Sequence, residues 1–461
     1  MSSTQRNGWL RPARVVPALF FALAAIGLVG VRMASQGGLN REMKEIRTKG
    51  WPTNPKELDA WYAGVPAAEN AGLKFLEARD LFVEPGHGSD PGEVDWREIP
   101  HNQALDAKTT AILQAHLGKN GETLRLRHEA AKWERSRYPI DLSRAPDLKI
   151  DHLLGLKRLA QLARWDALLK AERGDAAGAA EALKNGFAVA HTLAQEPLLI
   201  SELVRIACVA IQLVGMERVV NVARFDDTQF GELAAKVREA AEDSQYSLQH
   251  ALIGERAFAR TNWKLTFEEY EQLLSIGGLV PNTSEVPEIL RKLFHYGRRV
   301  VGTQDRDHAF YMQSLGRMID AAALDYPELF ARSEVLASEI EVQLSEHPIV
   351  YELSKFSLPS MLHVQKKEAI LIGRLRCVEM ALEIERWRRK NGGGLPREDD
   401  LSEILKDYPR DPVDGAPLKY QPNSHAVGRA GYRVIAAAAT AEEKKGGLNP
   451  KSPGIGFSVK Q

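Results

Sequence analysis

The first strong pattern in the chain is an apolar run over residues 15–31, which contains no charged or hydrogen-bonding side chain. At about 1.5 Å per residue it spans roughly 26 Å as a helix, close to the hydrocarbon thickness of a bilayer. Arg6, Arg11 and Arg14 precede it, and such cations favour an N-terminus that stays in the cytoplasm. The pattern therefore predicts a cytoplasmic tail over residues 1–14, a transmembrane anchor over 15–31 and a body on the other side of the membrane.

Two alternatives to an uncleaved anchor stay open. A secretory signal peptide ends in a small-x-small cleavage site, but a site ending at Ala34 has Arg32 at position −3. A site ending at Ser35 has Met33 there, which is little better. A buried helix of a soluble protein is the second alternative. We favour the uncleaved anchor because neither cleavage site fits well, and a cleaved signal would also export the body.

Helical spacing of apolar residues dominates the next part of the chain. Residues 32–50 are polar and charged and predict a short stalk, after which residues 51–370 predict a helical domain. The clearest part is a pair of apolar stripes, over residues 156–167 and 183–194, separated by a turn at Gly174-Asp175. This pair resembles a tetratricopeptide-type hairpin, but its period is not repeated. We therefore expect an irregular array of helical hairpins rather than a regular solenoid.

The segment from Leu198 to Val220 is apolar enough to be mistaken for a second membrane span. Glu202 and Arg205 lie inside it, one helical turn apart, which favours a buried core helix instead. A buried carboxylate beside an arginine predicts either a structural ion pair between helices or a functional pair. We favour the structural ion pair, because such pairs are the commoner outcome.

The pattern changes near the C-terminus, where residues 371–461 predict a small α+β domain. A long helix ends at Gly392-Gly393-Gly394, and short apolar segments bounded by turn residues follow it. We expect Tyr420, Tyr432 and Phe457 to lie in or beside a small sheet. That sheet should pack on the long helix, because three short strands alone bury too little surface to be stable.

Composition narrows the possible functions. Lys plus Arg and Asp plus Glu both number 61, so no overall charge attracts nucleic acid, and nucleic-acid binding is not expected. The only cysteines are Cys208 and Cys377, which do not make a disulfide framework. Both lie in apolar helical segments, so two buried thiols are expected in preference to one bridge.

Candidate catalytic and metal-binding residues are few. The sequence contains no Gly-x-Ser-x-Gly elbow and no phosphate-binding Gly-x4-Gly-Lys-Ser/Thr motif, and His128-Glu129 lacks the second histidine of a zinc protease. Asp305, Asp307 and His308 could ligate a metal in principle, but Asp307 is better placed as a helix cap. The remaining candidates are single histidines, each expected to be a surface or packed residue: His152, His191, His250 and His363. No catalytic residue, metal ligand or cofactor is therefore assigned.

Three groups of motifs together resemble a group of uncharacterised bacterial membrane-anchored helical proteins. They are Gly50–Leu58 with Pro66–Ala71; Arg137–Asp141 leading through His152-Leu153 and Gly174-Asp175 to Glu196–Ser201; and Gly394–Tyr420. The resemblance implies a bacterial inner (cytoplasmic) membrane and a single-pass topology with the body outside the cytoplasm. It carries no catalytic residue over, because its motifs are turns and caps.

The C-terminal segment by itself resembles the globular end of type II secretion pseudopilins. In those proteins a long helix precedes a Gly-x-Pro turn and then an Asp-Pro…Gly-x-Pro-Leu-x-Tyr turn into a sheet, as Gly394-Leu395-Pro396 and Asp411–Tyr420 do here. The Asp/Gly-rich ending common in such tails is replaced by Glu442–Gly447, so a calcium site is not carried over.

Two hypotheses of function follow. The first is a binding or scaffold protein of the cell envelope, held to the lipid bilayer by residues 15–31 and contacting an envelope protein or peptide. The second is an envelope enzyme whose residues come together from distant helices. We favour binding because no catalytic motif is present. A deep pocket with converging His, Asp and Glu would favour the enzyme, and an open groove or patch would favour binding.

Overall fold

The structure is a computed structural model that describes Gly30, Met33 and residues 36–459, except for 97, 145–147, 264, 277–286, 406–407, 423–430 and 437–455. Within this part, the chain forms fifteen α-helices and one three-stranded sheet, which confirms the predicted mainly α class. The predicted anchor lies outside the described residues apart from Gly30, which is helical, as is Met33.

Helix α1 covers residues 36–48. The helices that follow are α2 (Pro55–Trp61), α3 (Ala71–Asp80), α4 (Ala107–Lys119), α5 (Gly121–Ala130), α6 (His152–Glu172), α7 (Ala176–His191), α8 (Leu199–Val222), α9 (Asp227–Asn262), α10 (Phe267–Ile276), α11 (Glu288–Val301), α12 (Thr303–Ala322), α13 (Glu328–Glu346), α14 (Glu352–Lys390) and α15 (Leu401–Ile404). The strands are β1 (Lys419–Pro422), β2 (Tyr432–Ile435) and β3 (Gly456–Val459).

Helices α6 and α7 form the hairpin that the two apolar stripes predict. Gly174 adopts φ +76° in the turn, a conformation that favours glycine, and the Asp175 carboxylate caps α7 by accepting from the Gly178 N–H at 2.8 Å. Leu156 and Leu183, one from each stripe, are fully buried. The wider likeness to a tetratricopeptide array stays a prediction.

Helix α8 is the one helix among the described residues that is long and apolar enough to cross a membrane. It packs instead against α6, α7, α9 and α14 inside the body, and Glu202 and Arg205 are buried there. Core helices of soluble domains pass the same test of length and composition, so this finding gives little support to a membrane location. The interpretation of α8 as a core helix agrees with its packing.

Helix α1 lies in the segment that the sequence predicts to be a stalk. Met43 and Ile46 are buried in a core that α1 shares with α9, α12, α13 and the first half of α14. Most polar residues of α1 are exposed, while Leu39, Met43 and Ile46 form a stripe at i, i+4 and i+7 that packs on the body. From residue 36 onwards the predicted stalk is therefore a packed helix of the body.

The C-terminal strands form an antiparallel sheet in the order β1-β2-β3. Tyr420 pairs with Val434 and Val434 with Phe457, and the Tyr432 hydroxyl donates to the Ala381 carbonyl of α14 at 2.9 Å. The predicted sheet and its packing on the long helix are confirmed. The sheet also contacts α8, where the Asn221 amide donates to the Ser458 carbonyl at 2.9 Å. The domain limits remain a prediction; α14 itself crosses residue 371.

Candidate functional site

Glu202 and Arg205 form a buried cluster with a third ionisable residue, Glu368. The Arg205 guanidinium donates to both oxygens of Glu202 at 2.8 Å and to Glu368 of α14 at 3.0 Å. It also donates to the Ser244 hydroxyl of α9 at 2.8 Å. The cluster joins α8, α9 and α14, which is the structural role favoured from the sequence. Glu368 lies 163 positions from Arg205, so periodicity along one helix could not indicate it.

Glu368 has fewer hydrogen bonds than the other members of this cluster. Burial raises its pKa well above the ordinary value, and the negative charge of Glu202 raises the pKa further. Its Oε2 atom has no hydrogen-bond partner among the described residues, and the same is true of the nearby Tyr326 hydroxyl. Glu202, Arg205 and Glu368 are at most 1% exposed, so the cluster is closed to a ligand in this structure.

Asp307 acts as a cap, but not for the helix that contains it. From within α12, its carboxylate accepts from the backbone N–H groups of Leu353 and Ser354 at 2.9 and 3.1 Å. It thereby caps α14, and it also accepts from the Arg298 guanidinium at 2.9 Å. The sequence predicts correctly that Asp307 caps a helix, but the helix that it caps is α14 and not its own. Both oxygens of the Asp307 carboxylate therefore already accept hydrogen bonds from the body.

Asp305 and His308 line a cleft between α1 and α12. The cleft has a volume of about 400 Å³. The His308 ring stacks on Trp263 with 4.9 Å between ring centroids, and Arg47 lies on the opposite wall. The sequence names Asp305 and His308 only as residues that could ligate a metal in principle, whereas Trp263 and Arg47 come from elements whose packing could not be foreseen.

His152 belongs to a second buried polar network. Its Nε2 lies 3.0 Å from a Glu196 oxygen, and the Ser201 hydroxyl donates to the same carboxylate at 2.5 Å. The His152 ring stacks on Tyr138, whose hydroxyl lies 2.6 Å from that of Thr192. Three segments that are separated in the sequence, around Tyr138, His152 and Glu196, are therefore in contact in the structure. Their complete burial indicates a structural role.

His250 and the two cysteines are also packed residues. The His250 ring stacks on Trp61 and Tyr246, and burial lowers its pKa to about 4. Cys208 and Cys377 are buried and unpaired, as predicted. Burial raises the pKa of Cys208 to about 12, which makes its thiol unreactive at neutral pH.

His191 lies in a cluster that the sequence did not reveal. Its Nδ1 is 2.7 Å from an Asp243 oxygen and 3.8 Å from a Glu239 oxygen of α9. Its Nε2 is 3.2 Å from the Glu134 carbonyl oxygen. The hydrogen bond with Asp243 raises the pKa of His191, and the nearby carboxylate charges raise it further. The one available signal was the i, i+4 spacing of Glu239 and Asp243, which is too common to predict a metal site.

His363 lines an open groove between α13 and α14, with a volume of about 520 Å³. Ile340 and Leu344 form its buried floor, and its charged lining residues are Lys355 and Lys366 of α14 and Glu341 of α13. The groove is open and largely apolar, in contrast to the closed polar clusters above.

Helix α11 presents a second open surface. Its outward face carries a continuous apolar stripe, with Ile289 72% exposed and Leu293 69% exposed. Its inward face is fixed to the body: the Arg298 guanidinium is buried and bonds to Asp307 and to Glu352 of α14.

No protein-family model, no curated protein and no solved structure matches this chain. The resemblances to membrane-anchored helical proteins and to pseudopilins therefore remain predictions based on the motifs themselves.

Proposed function

We propose that this chain is a single-pass protein of a bacterial inner membrane whose extracytoplasmic helical body binds a partner protein of the cell envelope. The uncharged segment 15–31 and the arginines before it support the anchor and its orientation. The α13–α14 groove is the single observation that carries the binding role. Open apolar grooves with charged edges are how helical proteins hold amphipathic helices.

The groove defines the chemistry of its partner. Its floor, formed by Ile340 and Leu344, fits apolar side chains spaced at i, i+3 and i+4 on a partner helix. On the α14 side of the groove, Lys355 and Lys366 favour acidic side chains on one flank of that helix, although Lys366 already pairs with Glu334 at 2.9 Å. Glu341 lines the groove from α13, so the acidic flank of the partner must face α14. The occupant that we propose is therefore an amphipathic helix with an apolar face and an acidic flank.

Photo-crosslinking tests this proposal in cells. A benzoylphenylalanine at Leu362, in the groove, should crosslink one envelope protein that the same probe at Val335 does not crosslink. Val335 is a matched control because it is exposed on α13 but does not line the groove. Filling the groove with Ala337→Trp should abolish the adduct.

The affinity of a peptide for the purified chain is the second measurement. A synthetic peptide from the crosslinked segment should bind the purified full chain, and Lys355→Glu with Lys366→Glu should weaken that binding at least tenfold. Identical adducts from Leu362 and Val335, or a peptide that does not bind, would overturn the proposal.

The alternative function, an envelope enzyme, is favoured by the cleft that contains Asp305 and His308. A carboxylate and an imidazole in one cleft can support general acid–base chemistry. Turnover of a reporter ester or phosphoester by the purified chain, abolished by both Asp305→Asn and His308→Gln, would establish this alternative. Absence of turnover in the unsubstituted chain would count against it.

A further inference from the structure

Helix α11 exposes more large apolar side chains than any other described helix. Seven of the seventeen large apolar side chains that are exposed in the described residues belong to this one helix. They are Ile289, Leu290, Leu293, Phe294, Tyr296, Val300 and Val301. Positions 289/290, 293/294 and 300/301 recur at helical spacing, so most of these side chains form one stripe along the helix. A contiguous apolar stripe of this kind marks an interaction surface.

The stripe is held in place by the opposite face of the helix. His295 and Arg298 are buried, and the Arg299 guanidinium donates to the Gln304 side chain at 3.0 Å. The Arg291 guanidinium forms an ion pair with Glu271 of α10. These contacts fix the rotation of α11 about its own axis. The apolar stripe therefore faces outward because the body turns it that way.

The charged side chains of α11 leave its outward face apolar. Arg291 pairs with Glu271, Lys292 with Glu288, and the buried Arg298 with Asp307. Interfacial helices present such an apolar face to lipid. The choice between a bilayer and a second copy of the chain therefore depends on where the stripe lies relative to the predicted anchor.

The position of α1 places this surface near the predicted anchor. Residues 39–40 of α1 lie beside Asp305 and His308 near the start of α12. Lys49, at the other end of α1, lies 2.8 Å from Asp320 near the end of α12. The two helices therefore run parallel, and the chain enters the body at the end of α12 that Gly302 joins to α11.

Chain length limits how far this end can lie from the membrane. Four residues, 32–35, separate the predicted anchor from α1, and four residues span at most about 14 Å when fully extended. Gly302, at φ +81°, makes the sharp connection between α11 and α12. The C-terminal end of α11, which carries Val300 and Val301 of the stripe, thus lies at the end of the body where the chain enters from the predicted anchor.

We propose that α11 is an interfacial helix, whose stripe inserts into the outer leaflet of the same membrane that residues 15–31 span. This inference rests on the proposed anchor and adds a second contact with lipid. Two contacts, unlike one, fix the orientation of the body on the membrane. The groove between α13 and α14 would then be presented to partners at a defined height above the bilayer.

Lipid quenching of a site-specific fluorophore tests this inference on the full chain. The chain is reconstituted in vesicles of phosphatidylethanolamine and phosphatidylglycerol, with a nitrobenzoxadiazole dye on Leu293→Cys and, in a separate sample, on Val335→Cys. Both positions are exposed, and the natural cysteines are buried, so labelling is selective. A spin label on the lipid acyl chain should quench the dye at position 293 at least threefold more than the dye at 335.

A further sample, with the dye on Leu28→Cys, separates the failure of this inference from the failure of the anchor. Quenching at Leu28→Cys but not at Leu293→Cys would overturn the inference and leave the anchor intact. Quenching at neither position would overturn both. A disulfide between copies of the unlabelled Leu293→Cys variant under oxidising conditions, together with a labelled variant whose dye lipid does not quench, would show that a second chain covers the stripe and would overturn the lipid contact. Introducing Ile289→Asp should reduce quenching at Leu293→Cys if the stripe inserts as one surface.

Discussion

The Lys49 ammonium lies 2.8 Å from the Asp320 carboxylate, and this ion pair lies at the end of a parallel packing of α1 against α12. Both side chains are about half exposed, so the pair itself contributes little to stability, on the order of 0–1 kcal/mol. The pair shows that the C-terminal ends of α1 and α12 lie together. Residue 36, at the other end of α1, therefore lies at the end of the body where α12 begins and α11 ends.

The apolar side of α1, rather than this ion pair, holds the helix on the body. Ile46 is 3% exposed, so Ile46→Ala should lower the free energy of unfolding by about 2–4 kcal/mol through lost burial and a residual cavity. Lys44→Ala, on the exposed side of the same helix, should change it by less than about 0.5 kcal/mol. Chemical denaturation of both variants in one detergent measures the difference. Equal stabilities would mean that α1 is a free stalk.

Asp307 should be among the most costly residues to replace. Asp307→Ala removes the cap of α14 and leaves the buried Arg298 with Glu352 as its one remaining carboxylate partner among the described contacts. Losing one partner of a buried pair costs about 3–5 kcal/mol. Asp305→Ala, two positions away and half-buried, should cost less than about 1 kcal/mol. Similar losses for both variants, measured by denaturant unfolding, would contradict the assignment of Asp307 as a cap.

Glu368 should make the protein less stable as pH rises. Because burial raises its pKa above the ordinary 4.5, the folded state holds a proton that the unfolded state releases. Its stabilising contribution is complete below pH 4.5 and is lost as pH rises towards the folded pKa. Glu368→Gln mimics the protonated acid and should become progressively more stable than the parent chain as pH rises above 4.5. A constant difference in unfolding free energy from pH 4 to 8 would show that Glu368 is ionised when buried.

Two histidines should give pH dependences of opposite sign. The hydrogen bond with Asp243 raises the pKa of His191, so its contribution is complete below pH 6.5 and is lost as pH rises through the folded pKa. Burial lowers the pKa of His250 to about 4, so its contribution is complete above pH 6.5 and is lost as pH falls towards 4. Relative to the parent, His191→Gln should lose stability and His250→Gln should gain stability as pH falls. Differences of the same sign would contradict these environments.

Local patterns in the sequence predicted those parts of the fold that depend on neighbouring residues. The α6–α7 hairpin, the burial of α8 and the sheet that contains Tyr432 all follow from periodicity and turn chemistry within short segments. The packing of α1 on the body was not predicted, because charged residues outnumber its three apolar residues, among them Ile46. A helix needs few apolar positions when it lies on the surface of a body.

The parts of the site that escaped prediction depend on long-range packing. Glu368 completes the Arg205 cluster from a helix 163 positions away, and Asp307 caps a helix that begins 45 positions later. The stripe on α11 has helical periodicity, which predicts a buried face as readily as an exposed one. Only the packing of His295 and Arg298 against the body shows that the stripe faces outward.

The central claim, a body held outside the cytoplasm by residues 15–31, is tested most directly by a topology reporter at the C-terminus. Alkaline phosphatase folds and is active outside the cytoplasm, whereas green fluorescent protein exported in an unfolded state does not fluoresce there. Fused after Gln461, the phosphatase should be active and the fluorescent protein dark, and mass spectrometry of the mature chain should still find residues that precede Val15. A fluorescent fusion with an inactive phosphatase would contradict the claim, and a mature chain that begins near Ser35 would contradict the anchor while leaving export in place.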